Sequence, residues 1–511
     1  ATEKNVPEEG AQNKDTPAVD EAPKAEATVS PEESNTQVSD KDLEPHFFAD
    51  HIKEIVGGAA LLGVGVALGS DTKNTTTTET TNSTPTNNDI YIYSSDHALI
   101  ALAYGDGSIA SLDHQAMNEM LSVSIGAEAH GLSSEASIIG NVFGTARTIH
   151  STASGDDSYS LVSLDAVEAF SVSSDIGSIA SGAGARSVIN LNELILISTD
   201  IQIESTATSS DAVINLTNVS GSINKLNLLS DGNGAQSALN LEEATLSINK
   251  LNLVTDHGGF VSLDLTGSVV TIDDTISIEA QHSGNVVLTA NIDGSSFNNI
   301  HVSADTYGYV SVDLLGDITA DNIYISTSPE AYVHVSIEQI IMNGNIELYS
   351  SSLSSEVFGV YSTTSLDIQS LSGSLDHITL SAEDGGGAFL NVNGNISVNN
   401  IHLYASGDDY NGGISVVSLD GSLDATIQDF TLEAYGGGRV QAYLGNLTIS
   451  GNLTLHADGF GTDAYGSTED LNFSRIDLMA GITSAETIHN ISVIASDDGN
   501  VSLSLFGDHI S

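Results

Sequence analysis

From about residue 98 onward, the chain repeats a short segment of the form apolar-x-apolar-x-small. With the first apolar residue as anchor, the series runs Ile100, Val123, Ile149, Phe170, Ile195, Leu226, Leu251, Ile276, Ile300, Ile323, Ile346, Ile378, Ile401, Phe430, Leu453 and Ile491. Nine of the fifteen intervals are 23 to 25 residues. Most units add a second alternating run, as in Val261-Ser262-Leu263-Asp264-Leu265, Val310 to Leu314 and Val501 to Leu505. Many carry a third, shorter apolar pair, such as Ile396 with Val398 or Leu447 with Ile449. Turns rich in Asp, Asn and Gly separate the runs, for example Asp256-His257-Gly258-Gly259 and Asp384-Gly385-Gly386-Gly387.

Alternation with period two places successive side chains on opposite faces of a strand. A single three-strand turn cannot enclose an apolar interior. Stacked turns can, because each Ile or Leu then sits over its counterpart in the next. The pattern therefore predicts an all-β fold, a parallel β-helix (β-solenoid) of about 16 coils with 23 to 25 residues per coil. At about 4.8 Å per coil it would be a rod on the order of 80 Å long. Helical spacing is scarce, and the best stretch is Asp113 to Leu121, with Met117 and Met120.

The repeat region, 90–511, follows three dissimilar segments. Residues 1–46 are acidic, hold five of the seven prolines and have hardly any large apolar residue, so disorder is expected there. Residues 47–69 form a short apolar Gly-rich segment, a candidate anchor or plug; a flexible apolar linker is the alternative. Its apolar part, 55–69, is shorter than the roughly 20 residues of an ordinary spanning helix. The acidic stretch before it lacks the basic start of a signal peptide. Residues 70–89 read as a Thr/Asn/Ser-rich linker. Within the repeats, the insertions Ser351 to Thr364 and Gly459 to Ser474 are expected to emerge as loops, either for binding or as unselected drift.

Charge narrows the choice of partners. Twelve Lys and Arg face 68 Asp and Glu, a net charge of −56, which disfavours nucleic acid because phosphate contacts need cations. Self-repulsion of this size would be relieved by salt or divalent ions. The acid pairs Asp408-Asp409 and Asp497-Asp498 are candidate calcium ligands, as is Asp156-Asp157, because Ca²⁺ needs six to eight oxygens. Ordinary turn chemistry explains the same residues. Tandem calcium-binding β-roll repeats do not occur, and the fifteen His are scattered singly, without a paired metal-binding spacing. Calcium is thus the one cofactor considered, without a defined site.

The chain has no Cys and no Trp, and 5% of its residues are aromatic. Disulfides and thiol chemistry are excluded, and the sparse aromatics weigh against a carbohydrate-processing cleft. Arg439, with Asp408 and Asp409, is the least poor candidate for a lateral catalytic groove, and no catalytic or cofactor-binding residue is assigned. Ten Asn-x-Ser/Thr sequons are what so Asn-, Ser- and Thr-rich a chain produces by chance.

This layout resembles large secreted bacterial repeat adhesins and biofilm-matrix proteins: an acidic segment, the Gly57 to Gly69 stretch, a Ser/Thr/Asp tract, then repeats. The Cys-free, acidic, Ser/Thr/Asn/Gly-rich body is similar to surface-layer proteins. The resemblance implies an extracellular location at a bacterial surface and attachment to a cell-surface or matrix polysaccharide or protein. Apart from the resemblance, the strand edges of the final coil invite end-to-end self-association, and residues 55–69 are the candidate membrane anchor. The expected function is a non-catalytic structural or adhesive rod. The alternatives are a self-assembling filament or surface-layer subunit, and, least favoured, a polysaccharide-degrading β-helix enzyme.

Overall fold

A computed structural model describes residues 90–95, 98–115, 119–352, 362–407, 415–459, 474–482, 488–496 and 499–506. The segments 1–46, 47–69 and 70–89, with the candidate anchor 55–69, lie outside them, as does most of both insertions. Among the described residues, no helix is long and apolar enough to cross a membrane.

Thr245–Asp256 shows how a coil is shaped. Leu246 and Ile248 point inward, Asn249 and Lys250 are both exposed, and Leu251, Leu253 and Thr255 point inward again. Two consecutive outward residues break the period-two pattern, and the pairing register shifts between Ile248 and Lys250. The strand bends there and supplies two sides of the coil; Gln236–Glu242 supplies the other. Repeated, this unit forms an all-β parallel solenoid of about 15 turns, one fewer than the anchor series suggests. At about 4.8 Å per turn the solenoid is roughly 70 Å long.

The apolar column follows the sequence repeat closely over most of its length. Leu226, Leu251, Ile276, Ile300, Ile323, Ile346, Ile378, Ile401, Phe430, Leu453 and Ile491 are successive register partners. Upstream, the column instead runs Leu226, Ile201, Ile176, Ile149, Ile125 and Leu99. Of the first five anchors only Ile149 lies in it. Ile100 pairs with Gly126 and faces away from the core, Val123 and Phe170 belong to the preceding side of the coil, and Ile195 is exposed. Two sides of a coil share the same alternation, so period two alone does not say which side a run occupies.

The small residue of the repeat sits at a tight inner corner, in the column Ser205, Ser230, Thr255, Ala280, Ala304, Thr327, Ser350, Ala382, Ala405, Ala434 and Ala457. At Thr327 and Ser350 hydrogen bonds compensate burial of the hydroxyl, whereas Thr255 Oγ1 is buried without a hydrogen-bond partner. Thr327 Oγ1 lies 2.9 Å from Ser350 Oγ and 3.0 Å from Thr364 Oγ1, and Ser350 Oγ donates to Ser362 O and accepts from Gly387 N.

The helical expectation for Asp113 to Leu121 fails at both flanks. Asp113 lies in the strand Ile109–His114 and pairs with Ile139, whereas Met120 begins the strand Met120–His130; residues 116–118 lie outside the described set. Ladder bonds to the next coil outweigh weak local helical spacing. At the N-terminal end, Ile90–Ser95 pairs with Ala98–Tyr104 in the one antiparallel ladder among the described residues. That strand occupies an edge that would otherwise be open.

Candidate metal centre and lateral faces

At one corner the chain turns through Asp256-His257-Gly258-Gly259 and, one coil on, through Gln281-His282-Ser283-Gly284. His257 and His282 have left-handed backbones, φ 46° and 39°, and occupy equivalent positions. Their rings stack, with centroids 5.1 Å apart and planes within 10°. His257 Nδ1 lies 2.9 Å from Asp231 Oδ1 and 3.2 Å from Asp256 Oδ2; His282 Nδ1 lies 2.8 Å from Asp256 Oδ1. Asp256 is thus bracketed by two imidazoles, and one donor atom from each of the three residues falls within a span of 4.8 Å. The hydrogen bond to Asp231, followed by the charge of Asp256, raises the pKa of His257.

Sequence reasoning treated these histidines as isolated. The signal that could have paired them is their separation by one repeat, the interval that also separates Leu251 from Ile276. Stacking turns any pair one repeat apart into neighbours.

The calcium candidates Asp408, Asp409, Asp497 and Asp498 lie outside the described residues. The comparable pair Asp156-Asp157 is used as turn chemistry: Asp156 Oδ1 accepts from Ala183 N at 3.0 Å and Asp157 has φ 53°. Arg439 stacks in register on Arg475, which donates from Nε to Asp477 Oδ2 at 2.6 Å. The acids considered with Arg439 are the undescribed 408 and 409.

A second cluster lies on the outward face near the N-terminal end. Glu128, buried, meets His150 Nε2 at 3.0 Å through Oε1 and His130 Nε2 at 2.9 Å through Oε2. His130 also contacts Ser154 Oγ at 2.6 Å and stacks on Tyr104. Gly126 makes room for His150, because a Cβ there would lie 2.1 Å from its Cε1. Burial pushes the Glu128 carboxyl pKa up, but the hydrogen bonds and charges of His130 and His150 together outweigh it and bring it to about 2.

Along another corner runs an open groove of about 680 Å³. Asp113, Asn141, Asp165, Asn190, Asn192 and Asn215 are among its lining residues. Their amides bond from coil to coil: Asn215 Nδ2 donates to Asn190 Oδ1 at 2.6 Å, Asn240 Nδ2 to Asn215 Oδ1 at 2.7 Å, and Asn192 Nδ2 to Asp165 Oδ1 at 2.6 Å. The groove presents carboxamides and carboxylates at a regular rise, a surface suited to polar, hydroxyl-rich ligands.

No protein-family model, curated protein or solved structure matches the chain.

Proposed function

We propose that the protein is a non-catalytic extracellular rod, structural or adhesive, at a bacterial surface or in a biofilm matrix. The observation that carries this reading is one core cluster running from Leu99 to Ala480, over which polar side chains repeat from coil to coil. A continuous core makes a stiff spacer, and side-chain ladders offer many equivalent weak contacts, the arrangement that multivalent attachment to a polymer exploits. The Asn and Asp groove supports a matrix polysaccharide as partner, and the apolar segment 55–69 is the proposed means of holding the rod at a membrane.

A second reading is self-association into filaments or layers, favoured by apolar side chains exposed along the sides of the described coils, among them Ile109, Val269 and Ile341.

Electron microscopy of the full chain, with calcium and with chelator, separates the two readings. Isolated rods under both conditions that co-sediment with matrix polysaccharide support the adhesive rod. Filaments or sheets that grow with protein concentration support the assembly subunit, and release of reducing ends from polysaccharide would overturn both.

A further inference from the structure

We propose that Asp256, His257 and His282 bind one transition-metal ion of the zinc class, clamped across two adjacent coils. The donor set decides the class of ion. Two of the three groups are imidazoles, which suit Zn²⁺, Ni²⁺ or Cu²⁺, whereas Ca²⁺ requires a shell of oxygens. Tetrahedral zinc with bonds of about 2.0–2.1 Å holds neighbouring donor atoms roughly 3.3 Å apart. The 3.2 Å between His257 Nδ1 and Asp256 Oδ2 and the 2.8 Å between His282 Nδ1 and Asp256 Oδ1 approach that span through two different oxygens of Asp256, and since one donor atom from each residue falls within 4.8 Å, rotation of the exposed side chains brings the set onto one ion. Asp231, 2.9 Å from His257 Nδ1, stands ready as a fourth ligand, or water completes the shell.

The coil geometry prepares the site. Both rings are carried by the same turn conformation at equivalent positions, so the coil rise sets their spacing and stacking orients them together. Access is open, since the two imidazoles are 64% and 53% exposed. The equivalent turn positions on either side are Gly232 and Thr306, neither of which offers a nitrogen ligand. The arrangement at this corner therefore predicts one ion here per chain. Bound metal would add a side-chain clamp between two turns whose backbones already meet, Gly258 N donating to His282 O at 3.0 Å.

The left-handed backbone supplies a clean test, because Gly adopts φ near +40° to +50° more readily than His. His257→Gly and His282→Gly remove a ligand while suiting the turn, and His257→Asn and His282→Asn, whose side chain also tolerates that region, provide a second pair. The full chain, stripped with chelator and desalted, is titrated calorimetrically with zinc chloride, and again with calcium chloride present in millimolar excess. The expected result is one zinc equivalent that weakens at least tenfold in each single variant, disappears in the double variant and persists in calcium, with all variants keeping the β-type circular dichroism. Zinc binding that is undetectable in the parent chain, unchanged in the double variant or displaced by calcium would overturn the proposal.

Discussion

At the scale of single residues, facing decides the outcome of a substitution. Leu263 is 1% exposed and stacks in register between Leu239 and Leu288. Leu263→Asp places an unpaired charge in the core and is expected to destabilise the stack by at least about 3 kcal/mol. Unchanged protease resistance in this variant would refute the assigned facing. Glu128 carries the clearest dependence on pH. Its folded pKa, about 2, lies below the ordinary 4.5, so the carboxylate stabilises the folded state fully above pH 4.5. That contribution is lost as the pH falls from there through 2, and the shift corresponds to about 3 kcal/mol. Glu128→Gln is expected to lower the urea midpoint at pH 6 and to bring parent and variant closer together at pH 2.5. Equal separation at both pH values would show that the two histidines do not hold the charge.

At the scale of elements, the inner corner is where polar atoms are committed most heavily. Ser350 Oγ serves Thr327, Ser362 O and Gly387 N together. Ser350→Ala leaves the buried Gly387 N–H without that acceptor, a loss of about 1–3 kcal/mol. Thermal unfolding is the measurement, and a melting temperature equal to that of the parent would mean the hydroxyl ladder is dispensable. Ala occupies the same column at 280, 304, 382 and 405. The corner therefore demands small volume rather than polarity, since Thr255 Oγ1 in the same column is buried without a hydrogen-bond partner. Sequence makes the smallness legible. It does not reveal the cross-coil bonding, because Thr327 and Thr364 lie far apart along the chain and meet only after stacking.

For the solenoid as a whole, nearest-neighbour stacking makes coils interchangeable. Asn322 and Asn345 are register equivalents, 23 residues apart, as are Ile323 and Ile346. Excising residues 323–345 joins Asn322 to Ile346 in register and is expected to retain cooperative folding with a modest fall in melting temperature. Removing only 323–334 places unlike sides of the coil over one another and should abolish the cooperative transition. A cooperative melt in the half-coil deletion would argue against the assigned registers.

The sequence by itself determined the all-β class, the parallel stacking, the apolar column from Leu226 to Ile491 and the small corner residue. These are local properties, alternation and volume, repeated at an interval that the chain displays directly. Only the tertiary structure decided that Leu99 and Ile125 replace Ile100 and Val123 in the column, because alternation is identical on two sides of the coil and the bends that separate them depend on packing. It alone brought His257 to His282 and Glu128 to His150, since a residue's outward neighbours lie in the next coil, and strand register chooses them.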